Sequence, residues 1–209
     1  MKKAIKYILV IAVIGLLGYK SVYFKKLSAI KNATGEKFDA ASFSKKLWDE
    51  KMPAKIDSAV DLSIFMNAVT ADKEAAFKKY SNALGIGNYR YALIKTQATV
   101  IAVNEDEVLL QLPVADSVIN AVLATEYIYG NAIRDAFALI DVKDFPNSAD
   151  LSSISEEMNK IVRTSVLPSF KTTVKKGDKL NIIAAVELNK EHIKWTGIEL
   201  LPVRLQIVQ

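Results

Sequence analysis

Four tyrosines in the middle of the chain could form a surface that binds a ligand. They are Tyr89, Tyr91, Tyr127 and Tyr129. Tyr89 and Tyr91 share one parity of a predicted strand, and aromatic rings on a strand face stack on the units of extended polymers. The alternative is that these amphipathic side chains fill a small barrel, with their hydroxyl groups pointing outward.

The segment 130–147 brings charged and amide side chains close together in sequence. Arg134 and Asp141 could pair and fix a long loop, because Arg–carboxylate pairs are strong and directional. Alternatively, the polar residues of this segment line a cleft for a ligand. The candidates for contact with a ligand or partner are therefore Tyr89, Tyr91, Tyr129, Asn131, Arg134, Asp135 and Asn147.

The chain lacks the residues that most catalytic and metal sites need. His192 is the only histidine and there is no cysteine, so neither a Ser/His/Asp triad nor a zinc site is expected. The acidic run 104–107 lacks the spacing of a calcium loop and is predicted to be a hairpin turn. Gly85 and Gly87 are interpreted as a helix cap and a strand lead-in. We expect no enzyme activity, no catalytic residue, no metal and no cofactor.

The basic charge is confined to the beginning of the chain. Residues 1–31 contain seven lysines and no acidic residue, and removing those seven from the net charge of +5 leaves −2 for residues 32–209. A nucleic-acid-binding protein usually carries its positive charge on the folded domain. Nucleic acid is therefore not an expected partner.

An apolar run near the start predicts a membrane anchor. Residues 7–24 are interrupted only by Lys20 and would span roughly 27 Å as a helix, close to the thickness of a bilayer core of about 30 Å. We expect residues 1–27 to be a transmembrane anchor, residues 28–38 a tether, and residues 39–209 one domain on the extracytoplasmic side. A cleaved signal peptide is the alternative.

Hydrophobic periodicity predicts a helical part at residues 39–84 and a β-rich part at residues 85–209. Helices are predicted at residues 40–52, 58–69, 71–81, 131–137 and 152–166, and strands at residues 89–104, 107–112, 122–129, 179–188 and 198–208. Asp39 is the predicted N-cap of the first helix, and Ser153 with Glu156 resembles a capping box in the last. Pro53, Pro113 and Pro168 are each expected to end an element.

The order of these elements indicates the fold class. Three strands, a helix and two strands are the order of an OB-type barrel, so we predict an α+β fold. It would consist of a five-stranded OB-like β-barrel with an N-terminal helical subregion and a helix between the third and fourth strands. A bulge or bend is expected near Gln97–Ala98, where the alternation of the first strand changes parity.

Several motifs resemble a known family. They are GIGNYRYALIKTQATVIAV at 85–103, GNAIRDA at 130–136, DFPN at 144–147, MNKIV at 158–162 and LPVRLQIV at 201–208. They are similar to the predicted periplasmic lipoproteins of domain-of-unknown-function family 2291. The resemblance implies a periplasmic domain that is accessory to a sugar ABC transporter, with a protein of that transport system as partner. The motif residues carried over are Gly130, Asn131, Arg134, Asp135, Phe145 and Asn147.

The sequence departs from this family in one respect. It has no lipobox cysteine, so we expect the apolar helix, and not a lipid, to anchor the domain. Two functions remain open at this point: a non-catalytic module that contacts a protein partner, and an OB-type domain that binds a carbohydrate or oligomer.

Overall fold

The computed structural model describes residues 38–115 and 117–208, together with Tyr7. The chain divides into two compact units, Met1–Phe38 and Asp39–Gln209. The predicted anchor at 1–27, except for Tyr7, and the predicted tether, except for Phe38, lie outside the described residues. Within the described part of the chain, no helix combines the length and apolar character needed to cross a bilayer.

The second unit begins with short helices, and aspartate caps fix the starts of three of them. The helices are α1 (Ala40–Lys46), α2 (Met52–Asp57), α3 (Leu62–Ala71) and α4 (Lys73–Tyr80), and a π-helical turn, Leu47–Lys51, joins the first two. The carboxylates of Asp39, Asp61 and Asp72, at the starts of α1, α3 and α4, accept hydrogen bonds from backbone N–H groups of the following turn. The predicted cap at Asp39 is therefore confirmed.

Among the described residues, six strands form one sheet. They are β1 (Val60–Asp61), β2 (Tyr89–Val103), β3 (Glu107–Val114), β4 (Ser117–Ala124), β5 (Lys179–Asn189) and β6 (Ile198–Val208). Their order is β1-β2-β3-β4-β6-β5, and β2 also pairs with β5, so that the pairing of the five long strands returns to its start. The predicted number of five is not confirmed, because the two-residue β1 adds parallel to β2.

A helical segment connects β4 to β5. It contains α5 (Ala132–Ala136), a 3-10 turn (Val142–Asp144), α6 (Ser148–Ile161), a π-helical turn (Val162–Val166) and α7 (Leu167–Thr173). The predicted capping box at Ser153 is wrong, because the Asn147 side chain caps α6 six residues earlier.

The third long strand ends earlier than the sequence indicated. It was expected at 122–129, whereas β4 is Ser117–Ala124. Its register with β3 begins at the turn itself, where Val114 pairs with Ser117. Because the hairpin turn is tight, β4 begins at Ser117 and already ends at Ala124. Tyr127 and Tyr129 therefore lie in the irregular segment that follows the strand.

None of the three prolines ends its element. Met52 and Leu167 each donate their N–H to a carbonyl five residues earlier, and the proline that follows opens the next α-helical stretch. The wider π turn gives room for a ring that would clash with the carbonyl four residues back. Pro113 lies in β3 beyond the last residue paired with β2, so its missing N–H removes no ladder hydrogen bond on that side.

The core fills the interior of the strand ring and the contacts between the sheet and the helices. Its fully buried side chains include Phe65, Ile94, Leu110, Leu123, Ile133 and Met158. The predicted irregularity of β2 exists, but its register with β3 shifts between Val100 and Ala102 and not at Gln97–Ala98. The pairing of β2 with β5 is regular from Tyr89 to Thr99. This pairing leaves no bulge at Gln97–Ala98.

Candidate functional site

An open cavity of about 400 Å³ lies where the loop before β2 meets α5 and the beginning of α6. Five of the seven candidate residues line it: Tyr89, Tyr91, Asn131, Arg134 and Asp135. The remaining lining residues are Ala83, Leu84, Gly85, Ile86, Gly87, Val142, Ser148, Leu151 and Ser152. We call this cavity the cleft.

A buried ion pair forms the floor of the cleft. Arg134 Nε donates to Asp135 Oδ1 at 2.7 Å, and the two side chains are 6% and 2% exposed. Arg134 Nη1 also donates to the Leu151 carbonyl at 2.8 Å, which ties α5 to α6. The pair is neutral as a unit, and these two bonds use two of the five guanidinium donors.

The expected Arg134–Asp141 pair is wrong. Asp141 instead accepts a hydrogen bond from the Lys143 backbone N–H at 2.9 Å and caps the 3-10 turn. The guanidinium of Arg134 is bound instead by Asp135 on α5 and by the Leu151 carbonyl on α6, so the loop is fixed by the Asp141 side-chain cap and not by the arginine.

The phenol of Tyr91 stands at one side of the cleft. Tyr91 is paired across the strands with Glu187 of β5. Burial, the charges of Glu187 and Asp135, and a hydrogen bond to Glu187 raise the pKa of Tyr91 to about 12. The side chain therefore stays protonated at physiological pH and can donate and accept hydrogen bonds.

The loop that carries Gly85 and Gly87 forms the outer edge of the cleft. The helix before it ends at Ser81, so the interpretation of the glycines as a helix cap is wrong. Gly87 has φ of +148°, a conformation that favours glycine, and its carbonyl accepts a hydrogen bond from Arg90 Nη1. Ile86 between the glycines is fully exposed, so an apolar side chain stands free at the mouth.

Helix α6 supports the cleft from below. Ser155 Oγ donates to Asn131 Oδ1 at 3.4 Å, and Asn159 Nδ2 donates to the Gly130 carbonyl at 2.9 Å. The Asn159 Oδ1 atom is buried and has no hydrogen-bond partner among the described residues. The GNAIRDA segment is thus held by polar contacts that also orient Asn131.

Two candidate residues lie outside the cleft. Tyr129 is 65% exposed, and its ring stacks on that of Tyr127 at a centroid distance of 6.4 Å. Asn147 accepts a hydrogen bond from the Ala149 N–H at 3.1 Å and caps α6. Ser148 and Ser152 line the cleft, and neither was among the candidates. The predicted helix begins at residue 152, whereas α6 begins at Ser148, so its first turn was expected to be loop.

The lining of the cleft contains no histidine. His192 is exposed, and no group of three or more His, Asp or Glu side chains in the described part of the chain is placed to hold a metal ion. The geometry on which a function can rest is therefore the cleft: an aromatic wall, a neutral ion pair and several hydroxyl and amide groups.

The fold and the cleft define an α+β domain of OB type with an open polar pocket on its strand ring. A crystal structure of an OB-fold protein from Thermotoga maritima MSB8 is similar to this chain, with a TM-score of 0.71 and 26% sequence identity. The likeness covers 83% of this chain and 100% of that chain. A comparison with curated proteins gives no match.

The model of the predicted periplasmic lipoproteins, domain-of-unknown-function family 2291, matches residues 12–206. The chain belongs to this family. The resemblance drawn from GNAIRDA and DFPN is therefore confirmed, and the family's description as periplasmic agrees with a domain outside the cytoplasm.

Proposed function

We propose that this chain is a non-catalytic, extracytoplasmic module that binds a carbohydrate in the cleft. The observation that carries the proposal is the cavity of about 400 Å³ beside Tyr91 and the Arg134–Asp135 pair. A filled or flat surface at this place would have favoured a protein partner. An open aromatic and polar groove favours a small ligand.

The chemistry of the lining favours an uncharged ligand with several hydroxyl groups. The Arg134–Asp135 pair neutralises itself, so it offers planar donors and acceptors without a net charge. Tyr89 and Tyr91 supply ring faces that can cover the C–H side of a sugar ring. The volume is in the lower part of the range of about 300–1,000 Å³ typical of small-molecule sites, which suits one or two sugar units.

The wider setting belongs to the same proposal. Residues 1–27 would hold the domain at the membrane, and the ring of long strands would act as a five-stranded barrel that keeps the cleft rigid. A protein of a sugar ABC transport system as partner remains a prediction that rests on the family resemblance alone.

The proposal is tested by titrating the full chain, in detergent micelles, with neutral mono- and disaccharides and following binding by calorimetry. Tyr89 is 53% exposed, so Tyr89→Ala removes a cleft wall without opening the core. We expect this substitution to weaken binding about tenfold, because an aromatic contact contributes about 0.5–1.5 kcal/mol beyond the area that it buries.

Tyr129→Ala is the matched control, since it removes an exposed tyrosine outside the cleft. It should leave sugar affinity unchanged. The carbohydrate proposal would be wrong if none of the neutral sugars bound while a sugar phosphate or an amino acid did, or if both alanine variants lost affinity equally.

A further inference from the structure

A second feature stands apart from the cleft. Tyr127 and Tyr129 are 61% and 65% exposed, and their rings stack with an interplanar angle of 30°. Neither residue lines the cleft. Two large aromatic side chains therefore lie side by side in solvent. Tyrosine is enriched at the centres of protein interfaces, so such a pair is a candidate contact surface.

The tyrosine pair is held in a fixed position. Ile128 between the two rings is fully buried and anchors the segment in the core. Arg163 Nη1 donates to the Ile128 carbonyl, and its guanidinium lies 5.5 Å from the centre of the Tyr129 ring. A salt bridge of 2.8 Å joins Glu126 to Lys171. Such preorganisation lowers the entropy lost when a partner binds.

An acidic cavity of about 440 Å³ adjoins the pair and shares Tyr127 with it. Its lining includes the four carboxylates of Glu105, Asp106, Glu107 and Glu199, whereas no lysine or arginine of the described residues lines it. Burial, followed by the charges of Glu187 and Glu107, raises the pKa of Glu199. Lys171 lies beside the cavity, where its Nζ donates to the Glu105 carbonyl at 3.4 Å, but the four carboxylates of the lining outnumber this one cation.

We propose that the stacked tyrosines and the adjoining acidic cavity form a docking surface for a basic segment of a partner protein. A lysine or arginine side chain enters the cavity, and its aliphatic stem and neighbouring residues pack on the two rings. We call this surface the tyrosine platform. It is independent of the proposed carbohydrate site, because the two cavities have no lining residue in common.

The charge on the platform decides between occupants. Nucleic acid and the anionic surface of a bilayer carry the same sign as the four carboxylates and would be repelled. A second copy of the domain carries a small negative charge itself, since residues 32–209 have a net charge of −2. A segment rich in lysine or arginine is the partner whose charge complements the surface.

The test uses the full chain and two fluorescent peptides of equal length, one of alternating lysine and leucine and one of alternating glutamate and leucine. Fluorescence anisotropy should show binding of the lysine peptide only, with an affinity that falls as salt rises. The triple variant E105Q/E107Q/E199Q should bind it about tenfold more weakly, and so should Y127A/Y129A.

Matched variants separate the platform from general charge and from the cleft. E50Q/D144N/E156Q removes three exposed carboxylates elsewhere on the domain, and it should keep the affinity for the lysine peptide within about twofold. Y127A/Y129A should keep sugar binding, whereas Tyr89→Ala should keep peptide binding. Failure at one site is thereby distinguished from failure at the other.

Three results would overturn the proposal. In the first, the lysine peptide does not bind, or binds equally well to the platform and control triple variants. In the second, the glutamate peptide binds as tightly as the lysine peptide. In the third, sedimentation shows that the chain dimerises and that Y127A/Y129A abolishes the dimer, which would identify a second copy as the occupant.

Discussion

At the scale of single residues, the Arg134–Asp135 pair is the most constrained feature of the cleft. Both side chains are almost fully buried, and Asp135 is also tied to its surroundings through its backbone carbonyl, which accepts from Asn82 Nδ2 at 3.0 Å. Breaking a buried pair from one side leaves the other charge without compensation, which is more costly than losing the contact itself.

We therefore expect Asp135→Asn to lower the free energy of unfolding by about 3 kcal/mol, because the buried guanidinium of Arg134 loses its counter-charge. Urea unfolding followed by circular dichroism measures this change. Asp144→Asn is the control: Asp144 is exposed, and its substitution should stay within about 0.5 kcal/mol of the parent chain. A loss below about 1 kcal/mol for Asp135→Asn would contradict a buried charge pair.

Glu199 gives a prediction with a defined pH dependence. Its pKa is raised above the ordinary value of 4.5, first by burial and then by Glu187 and Glu107. A carboxyl with a raised native pKa binds its proton more tightly in the folded state, so its ionisation above that pKa destabilises the fold. The penalty disappears as the pH falls through the native pKa.

Glu199→Gln should consequently raise the melting temperature at pH 8 by about 1–2 °C, as expected for a partly exposed charge in a domain of this size. The gain should vanish at pH 4, where the native carboxyl is already protonated. Differential scanning calorimetry at the two pH values measures both numbers. A gain that is equal at pH 4 and pH 8 would mean that packing, and not charge, is responsible.

The side chains of the cleft were predictable to different degrees. Tyr89 and Tyr91 follow from the period of a strand, and Arg134 and Asp135 follow from the charged segment 130–147. Asn131 was identified from the GNAIRDA motif of the family. Glu187 could not be found in this way. It reaches Tyr91 only through the register of two strands almost a hundred residues apart in the chain.

At the scale of elements, the ends of helices and strands decided which predictions failed. Asn147 was a binding candidate because it lies in the DFPN motif, yet its side chain caps α6. Ser148 and Ser152, in the first turns of the same helix, line the cleft. A single sequence does not distinguish Asn147, which has a structural role, from Ser148 and Ser152, which line the cleft.

Asn147→Ala should therefore lower stability and leave ligand binding intact. The loss of a side-chain cap costs about 1 kcal/mol, and Asn147→Asp should restore most of it because aspartate caps equally well. Thermal unfolding of the three chains compares the effects, and sugar titration provides the second measurement. A variant with unchanged stability and reduced sugar affinity would return Asn147 to the list of contact residues.

The prolines show why a local rule of termination is incomplete. Pro53 and Pro168 were expected to end helices, and each instead follows a π-helical turn and begins a further helical stretch. Pro113 was expected to end a strand, but the pairing of β3 with β2 already stops at Gln111, so no hydrogen bond from residue 113 to β2 is lost. Whether a proline stops an element depends on where the missing N–H points, which is a tertiary property.

At the scale of the whole molecule, the order of strands and helices was enough to indicate an OB-type α+β fold, and the similar OB-fold structure agrees with it. The sixth strand was not predictable, because β1 has two residues and exists only where the chain passes beside β2. The tyrosine platform was missed for a similar reason. It depends on where β4 ends, and on the β2–β3 hairpin and β6, which together place four carboxylates beside Tyr127.

The long strand β2 has a further consequence for how the chain reaches its native state. Residues 89–99 pair with β5, from Asn189 opposite Tyr89 to Lys179 opposite Thr99, and residues 99–103 pair with β3. Contacts between such distant positions form late, because a long intervening loop has to close first. Until residues 179–208 have emerged, both backbone edges of the sheet stay open to other extended chains, so timely delivery of the C-terminal strands protects the protein from aggregation.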